Sequence, residues 1–173
     1  MIDYLYGVGL RPVVSTDMEN MRKWRNDVSV WRWCRQNDLI SDAMQARWFD
    51  SQDKDQSIHM YMVTTERGSN TVGVCGLTSH DRGNRIAELS LYIAPEHQKR
   101  GLAVPTFKTL MAHGFKNLNL HSIWCECFTG NHVIPIVEKV GFKPDGVRRE
   151  AYFKDGKYVN AELFSILESE WKA

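Results

Sequence analysis

The residues with the clearest chemical role lie in the segment EHQKRGLAVP (96–105), where Gly101 follows a Lys-Arg pair. From Ala103 onwards, apolar residues recur at the spacing of one helical face, so a helix begins close to Gly101. The first N–H groups of a helix have no internal acceptor, and Pro105 therefore loses little by lacking an N–H. Because Gly101 has no side chain, a ligand can approach those groups closely. The pattern predicts a phosphate site, with an ordinary solvated basic turn as the alternative.

A second group of functional residue types lies in MRKWRNDVSVWRWCRQ (21–36), which interleaves basic and aromatic side chains. Such residues can bind single-stranded nucleic acid through phosphate contacts and base stacking, which would make the chain an RNA-binding module. They can also form a pocket wall in which arginine holds a phosphate or carboxylate and tryptophan stacks on a ring. In a third interpretation the tryptophans pack in the core and the arginines face water. The residues concerned are Arg22, Lys23, Arg25, Arg32 and Arg35 with Trp24, Trp31 and Trp33.

The composition weighs against nucleic acid and membrane partners. The 173 residues include 22 Lys and Arg and 21 Asp and Glu, a net charge of +1, so any anion site must be local. We find no recognised RNA-binding motif. No apolar stretch approaches the roughly 20 residues that span a bilayer, and the N-terminus MIDYLYGVGL shows no basic leader. We therefore expect a cytoplasmic protein that binds neither nucleic acid nor a membrane.

The four cysteines, Cys34, Cys75, Cys125 and Cys127, do not form a disulfide framework. Cys125 and Cys127 would lie on the same face of a strand, but neither a second pair nor an interleaved histidine completes a zinc site. We expect reduced thiols in or near the core, and no metal.

The elements that would position these residues are mostly strands. The segment YLYGVGLRPV (4–13) predicts a first strand. Three β-rich runs at 58–65, 71–78 and 85–94, separated by short polar turns, predict an antiparallel meander. No linker or internal repeat divides the chain, and its length suits one domain over residues 1–173.

Several of these segments together resemble the GNAT family, the acetyl-CoA-dependent N-acetyltransferases. Gln98-Lys99-Arg100-Gly101-Leu102-Ala103 is similar to the family signature Q/R-x-x-G-x-G/A, within a similar strand, loop and helix, AELSLYIAPEHQKRGLA. CFTGNHVIPIVEKVGF resembles a later strand-to-helix segment of the family. GFKPDGVRREAYFKDGKYVNAELFSIL is similar to the final hairpin of the branch that acetylates ribosomal-protein N-termini. WRNDVSVWRW resembles that branch and the related enzymes that acetylate nucleotide-linked amino sugars. The resemblance covers almost the whole chain.

The resemblance implies an α/β (α+β) fold, a mixed and mostly antiparallel sheet of about seven strands flanked by about four helices. Two adjacent strands splay apart in such a sheet, and the pantetheine arm of CoA lies between them. Acetyl-CoA is the implied cosubstrate, with direct transfer to an amine. The backbone of Leu91, Tyr92 and Ile93 would pair with the pantetheine amides, and Asn131 would hydrogen-bond the same arm. The pyrophosphate would be held by Gln98, Lys99, Arg100, Gly101, Leu102 and Ala103.

The resemblance also places Glu88 where family members often carry a carboxylate that takes a proton from the attacking amine, directly or through a water. A structural carboxylate, bonded to a neighbouring strand or helix, is the alternative. Many family members have a tyrosine immediately before the Glu-Lys pair, and it protonates the leaving thiolate. Val137 stands at that position and has no proton to give. The general acid is therefore unassigned, and water is one alternative to the candidate side chains Ser90, Cys127 and Tyr152.

The resemblance implies that the Trp/Arg segment and the final hairpin together face the end of the pantetheine tunnel. We predict an acceptor with an anionic or strongly polar body rather than an arylamine. A protein or peptide N-terminal α-amine is the first choice, and a nucleotide-linked amino sugar is the second. The oligomeric state stays open, with a homodimer as one alternative. The residues predicted to contact the acceptor are Arg25, Trp31, Arg32 and Tyr152.

Overall fold

A computed structural model, which describes residues 2–52, 54–65 and 70–172, shows one mixed sheet with helices on both faces. The strands are β1 (Ile2–Leu5), β2 (Val8–Pro12), β3 (His59–Thr65), β4 (Asn70–Asp81), β5 (Ile86–Ile93), β6 (Ser122–Phe128), β7 (Lys143–Lys154) and β8 (Lys157–Leu167). The α-helices are α1 (Met18–Asn26), α2 (Val28–Trp31), α3 (Asp42–Ser51), α4 (Ala103–Asn117) and α5 (Ile134–Lys139). The predicted fold class is confirmed, although the described chain contains eight strands and five α-helices.

The strands lie in the order β1-β2-β3-β4-β5-β6-β8-β7. Neighbouring strands are antiparallel except β5 and β6, which run parallel. The predicted meander is thus confirmed as β3, β4 and β5. The prediction of a single first strand is wrong, because Tyr6 and Gly7 have φ values of 60° and 88° and turn the segment into the β1–β2 hairpin. Two consecutive positive φ values are what a tight hairpin turn requires.

The parallel pairing of β5 with β6 is short. It joins Ile86, Ala87 and Glu88 to Ser122, Ile123 and Trp124. β5 then continues to Ile93 and β6 to Phe128, and no further β5–β6 pair is present in the described sheet. The two strands therefore diverge and enclose an opening, here called the β5–β6 gap, as the family resemblance implies. Helix α4 makes the crossover that two parallel neighbours need.

The two faces of the sheet have separate cores. Leu89 and Leu91 of β5 belong with Phe107 and Leu110 of α4 to the larger core, which α5 also joins through Val137. The opposite face packs against α1 and α3 in a cluster of Met21, Trp24, Met62, Val74 and Ala94, joined by Trp48 and Tyr92. Alternation along β5 therefore directs Glu88, Ser90 and Tyr92 toward the face that packs against α1 and α3.

The cysteines behave as predicted. All four are free thiols, with Cys75, Cys125 and Cys127 buried and Cys34 half-buried. None of the described helices is long and apolar enough to cross a membrane.

Candidate active site

The loop that leads into α4 leaves a row of N–H groups without partners. Lys99 and Gly101 have φ values of 60° and 74°, and α4 begins at Ala103. Within the described chain, the N–H groups of residues 99–104 donate no hydrogen bond. A Cβ atom added at Gly101 would meet no heavy atom within 4 Å, so the loop is open on that side. Bare donors at the N-terminus of a 15-residue helix fit a pyrophosphate.

Gln98, which the sequence places in the same row, serves to fix the loop. Its N–H already donates to the carbonyl of Pro95 at 3.3 Å. Its side-chain Nε2 donates to Ser29 Oγ on α2 and to the carbonyl of Ile93, both at 3.2 Å. Gln98 therefore ties the loop to α2 and to the end of β5, and the donors available to phosphate begin at Lys99.

The outer half of β5 presents backbone groups to the gap. The N–H of Ala94 donates to the carbonyl of Val72 on β4 at 2.9 Å. Because backbone groups in an antiparallel pair alternate in direction, those of Tyr92 also face β4. The N–H and C=O groups of Leu91 and Ile93 face the β5–β6 gap instead. The geometry thus leaves the backbone of Leu91 and the N–H of Ile93, but not Tyr92, available to pair with pantetheine amides, since the carbonyl of Ile93 accepts from Gln98.

Asn131 lies in the turn between β6 and α5. Its Oδ1 accepts a hydrogen bond from the N–H of Val133 at 3.0 Å, and its own N–H donates to the carbonyl of Phe128 at 2.9 Å. Its Nδ2 has no acceptor among the described residues. The side-chain amide is therefore held in place and keeps a donor for the pantetheine arm.

Two buried carboxylates lie beside the gap, Glu88 on β5 and Glu126 on β6. Arg35 bridges them, with Nη2 2.6 Å from Glu88 Oε1 and Nη1 3.4 Å from Glu126 Oε2. Glu126 also accepts hydrogen bonds from Arg148 Nη1 and Tyr152 Oη, each at 2.7 Å. The side chains of Glu88 and Glu126 are only 7% and 3% exposed. These five residues form what is here called the Glu–Arg network.

Burial raises the pKa of Glu88 above its ordinary value, and the nearby charge of Glu126 acts in the same direction. Arg35 opposes both effects because it stabilises the ionised carboxylate. A buried carboxylate with this balance suits a general base. Its contact with Arg35 is also one that a structural carboxylate would make, so substitution is needed to separate the two roles.

Sequence reasoning missed Glu126 and the bridging role of Arg35. A signal for Glu126 was present, since it stands between two cysteines on a strand. Cys125 and Cys127 pack in the core, so the residue between them must face the opposite side of the sheet. The core position of Cys127 also turns its thiol away from the acceptor side and removes it as a candidate general acid.

The predicted acceptor residues are only partly brought together. Tyr152 belongs to the Glu–Arg network, and Trp31 contacts the same strand through Lys154, whose Nζ lies 4.4 Å from the Trp31 ring centroid. Arg25 donates from Nε to Gln36 Oε1 at 2.8 Å, and its Cζ lies 5.6 Å from the ring centroid of Tyr92. Arg32 is exposed and makes no side-chain hydrogen bond or ion pair within the described chain.

The tryptophans of the segment are engaged inside the protein. Trp24 is buried, and its Nε1 donates to Glu96 Oε1 at 3.1 Å. Trp31 donates to the carbonyl of Asn37 at 3.1 Å, and Trp33 meets the ring of His132 edge to face at 5.7 Å. These contacts do not form the free stacking platform that an RNA-binding module needs.

No group of three or more His, Cys, Asp or Glu side chains that could hold a metal ion occurs in the described part of the chain.

Comparison with known proteins establishes the family. Residues 8–143 match the acetyltransferase (GNAT) domain, and the chain belongs to this family. The spermidine N(1)-acetyltransferase of Escherichia coli K12 is 28% identical over 169 residues, which cover 97% of this chain and 90% of that protein. YdaF of Bacillus subtilis, provisionally assigned as a ribosomal N-acetyltransferase, is 28% identical over 101 residues, 58% of this chain and 55% of that protein.

A solved structure shows the same fold. The crystal structure of spermidine N-acetyltransferase from Vibrio cholerae in complex with CoA and spermine has a TM-score of 0.90 to this chain. The two share 24% sequence identity, and the match covers 95% of this chain and 97% of that one.

The chain is therefore an acetyl-CoA-dependent N-acetyltransferase that acetylates an amine. The alternative of an RNA-binding module is set aside.

We expect Gly101→Glu to remove the thermal stabilisation that CoA gives the native enzyme, with the fold retained. The new carboxylate would stand before the bare N–H groups of residues 99–104 and repel a pyrophosphate. Gly156→Glu is the matched control, because Gly156 has a φ of 77°, is equally open and lies in the β7–β8 turn. Melting curves with and without millimolar CoA make the comparison. A native protein whose melting temperature ignores CoA would contradict the assigned site.

We expect Glu88→Gln to lower kcat by roughly 10²-fold or more, with little change in the KM for acetyl-CoA. The base works in its ionised form, so native kcat/KM should fall as the pH drops through the Glu88 pKa. The fall in kcat/KM at low pH is here called the acid limb. Because burial raises the pKa of Glu88, the acid limb of the native enzyme should lie above pH 4.5, the ordinary value for a glutamate. In Glu88→Gln the acid limb should be absent.

The control for Glu88→Gln is Glu138→Gln, since Glu138 is exposed on α5. Equal rates for the Glu88 variant and the native enzyme between pH 6 and 9 would assign Glu88 a structural role.

Proposed function

We propose that this enzyme acetylates a primary amine carried on an anionic body. The N-terminal α-amine of a protein or peptide is the first choice, and an amino sugar linked to a nucleotide is the second. One observation carries the proposal: each buried carboxylate of the Glu–Arg network already has an arginine partner. Both carboxylates are therefore paired, and neither is left free to attract a cationic acceptor.

The balance of charge around the network supports this proposal. Arg35 and Arg148 match Glu88 and Glu126 one for one. Two further cations lie beside them. Arg25 contacts the side chain of Gln36, and the ammonium of Lys154 donates to the carbonyl of the same residue. An acceptor that carries carboxylates or phosphates would be attracted here, and a polycation would be repelled.

The strength of the base supports the same choice. Burial raises the pKa of Glu88 above its ordinary value, and Arg35 limits this rise because it stabilises the ionised carboxylate. An α-amine of pKa about 8 is roughly one-tenth neutral at pH 7, whereas an alkyl amine such as lysine, near 10.4, is neutral at only a few parts in ten thousand. A weak base is therefore sufficient for an α-amine.

In the proposed reaction each part of the site has one task. The N–H groups of residues 99–104 hold the pyrophosphate, and the backbone of Leu91 and Ile93 orients the pantetheine arm between the diverging strands. Glu88 takes a proton from the acceptor ammonium, which frees the nitrogen lone pair to attack the acetyl carbonyl. The Tyr152 hydroxyl already donates to Glu126, so Ser90 on the face of Glu88 is the remaining candidate side chain for protonating the thiolate, with water as the alternative.

A polyamine acceptor is the second candidate function. It is favoured by the relatives, since the Escherichia coli protein is a spermidine N(1)-acetyltransferase and the Vibrio cholerae structure contains spermine. The positive charges of Arg25 and Lys154 near the network weigh against it in this chain.

The acceptor is tested by comparing kcat/KM at equal concentration for a short acidic peptide, a UDP-amino sugar, spermidine and an arylamine. We expect the peptide to be preferred, with the UDP-amino sugar next. A matched peptide with lysine in place of its acidic residues isolates the effect of charge and should react more slowly.

Two arginine substitutions test the pocket wall in the same assay. Arg25→Ala and Arg32→Ala should each raise the KM of the preferred acceptor by roughly ten- to a hundredfold, as expected on losing a charged hydrogen bond. Arg47→Ala on α3 is the control, since Arg47 is exposed and has no ion pair among the described residues. Preference for spermidine or the arylamine, or unchanged KM values in both variants, would contradict the proposal.

A further inference from the structure

Arg35 contacts its two carboxylates unequally. Its Nη2 is 2.6 Å from Glu88, whereas its Nη1 is 3.4 Å from Glu126, which is a long contact for a charged pair. The same guanidinium thus contacts a carboxylate on each of the two strands that border the gap, and its closer contact is with Glu88 on β5.

The two carboxylates depend on Arg35 to different degrees. Glu126 has two other donors at 2.7 Å, Arg148 and Tyr152, so its buried charge is stabilised without Arg35. Glu88 receives a side-chain hydrogen bond from Arg35 alone among the described residues. Loss of Arg35 would therefore leave Glu88 as a buried and unpaired charge.

The position of Arg35 allows it to move. It lies between α2 and α3, in residues 32–41, which form no helix or strand. Its side chain is 47% exposed, whereas both carboxylates are almost fully covered. A rotation of this long side chain can bring it closer to Glu126 without a change in the sheet.

We propose that Arg35 is a positioning residue for proton transfer. It keeps Glu88 ionised while the acceptor is absent, and it shifts onto Glu126 when the acceptor ammonium takes its place beside Glu88. The proposal rests on Glu88 as the proton acceptor of the proposed function. In the transfer an N–H bond of the ammonium breaks and an O–H bond forms on Glu88. The nitrogen keeps the electron pair and forms the C–N bond to the acetyl carbon, after which the C–S bond breaks and the CoA thiolate leaves and takes up a proton.

The charged and titratable groups that face Glu88 determine whether each substitution raises or lowers the pKa of Glu88. They are Arg35 from the segment after α2, Glu126 from β6 and, through Glu126, Arg148 and Tyr152 from β7. A cation beside Glu88 lowers its pKa, and an anion beside it raises its pKa. Removing Arg35 and removing Glu126 must therefore act in opposite directions.

The experiment measures kcat/KM against pH for Arg35→Gln and Glu126→Gln, with any amine that the enzyme turns over. For Arg35→Gln the acid limb should move to higher pH by about 1–3 units, the usual effect of losing a close opposite charge. For Glu126→Gln the limb should move to lower pH. Arg35→Lys should stay close to the native profile, and Arg47→Gln, distant on α3, is the control.

The movement of Arg35 is tested by a separate measurement, the KM of the acceptor. In Glu126→Gln the guanidinium has lost its second carboxylate, so the acceptor must compete with it for Glu88. We expect the KM of the acceptor to rise several-fold on the alkaline side of the limb, with the KM for acetyl-CoA unchanged.

An acid limb that stays in place in Arg35→Gln, or moves the same way in both variants, would overturn the proposal. So would an unchanged acceptor KM in Glu126→Gln. If Arg35→Gln fails to fold, the direction of the limb in Glu126→Gln decides: a shift to lower pH supports the proposal, and any other result overturns it. Because any amine that reacts will serve, spermidine included, an error in the acceptor class leaves these results unchanged.

Discussion

The short pairing of β5 with β6 is the constraint on which the site depends. Past Glu88 the two strands separate, so β5 is held in its outer half by β4 alone. That contact is close, since a Cβ atom at Gly73 of β4 would lie 2.5 Å from the carbonyl oxygen of Tyr92. The divergence gives the sheet an internal edge whose backbone groups need partners. In the proposed function a pantetheine arm supplies such partners.

The same divergence explains the charges beside the gap. Glu88 is the last paired residue of β5, and Glu126 lies two residues past the last pair on β6, so two buried carboxylates approach one another. Buried carboxylates that lie close together cannot both stay ionised without cations. Arg35 and Arg148 supply these cations from opposite sides, one from the segment after α2 and one from β7. The paired charges of the Glu–Arg network are thus a consequence of the sheet geometry.

The parts of the site that depend on local sequence could be predicted. The open loop before α4 follows from Gly101 and the helix after it, and the face of Glu88 follows from alternation along β5. The Arg35–Glu88 contact joins residues 53 positions apart, and only tertiary packing brings them together. The β1–β2 turn was missed because Tyr6, which takes a positive φ, has the side chain of a good strand former. The backbone of Tyr92 faces β4 and not the gap because of the register between β4 and β5, which the sequence does not specify.

Amide hydrogen exchange, with and without CoA, tests the central role of the gap most directly. The account predicts slower exchange on CoA binding at the N–H groups of Leu91 and Ile93 and at residues 99–104. The N–H of Tyr92, which faces β4, should not change. Protection confined to other parts of the chain, with these positions unaffected, would contradict the assignment of the β5–β6 gap as the site of acetyl transfer.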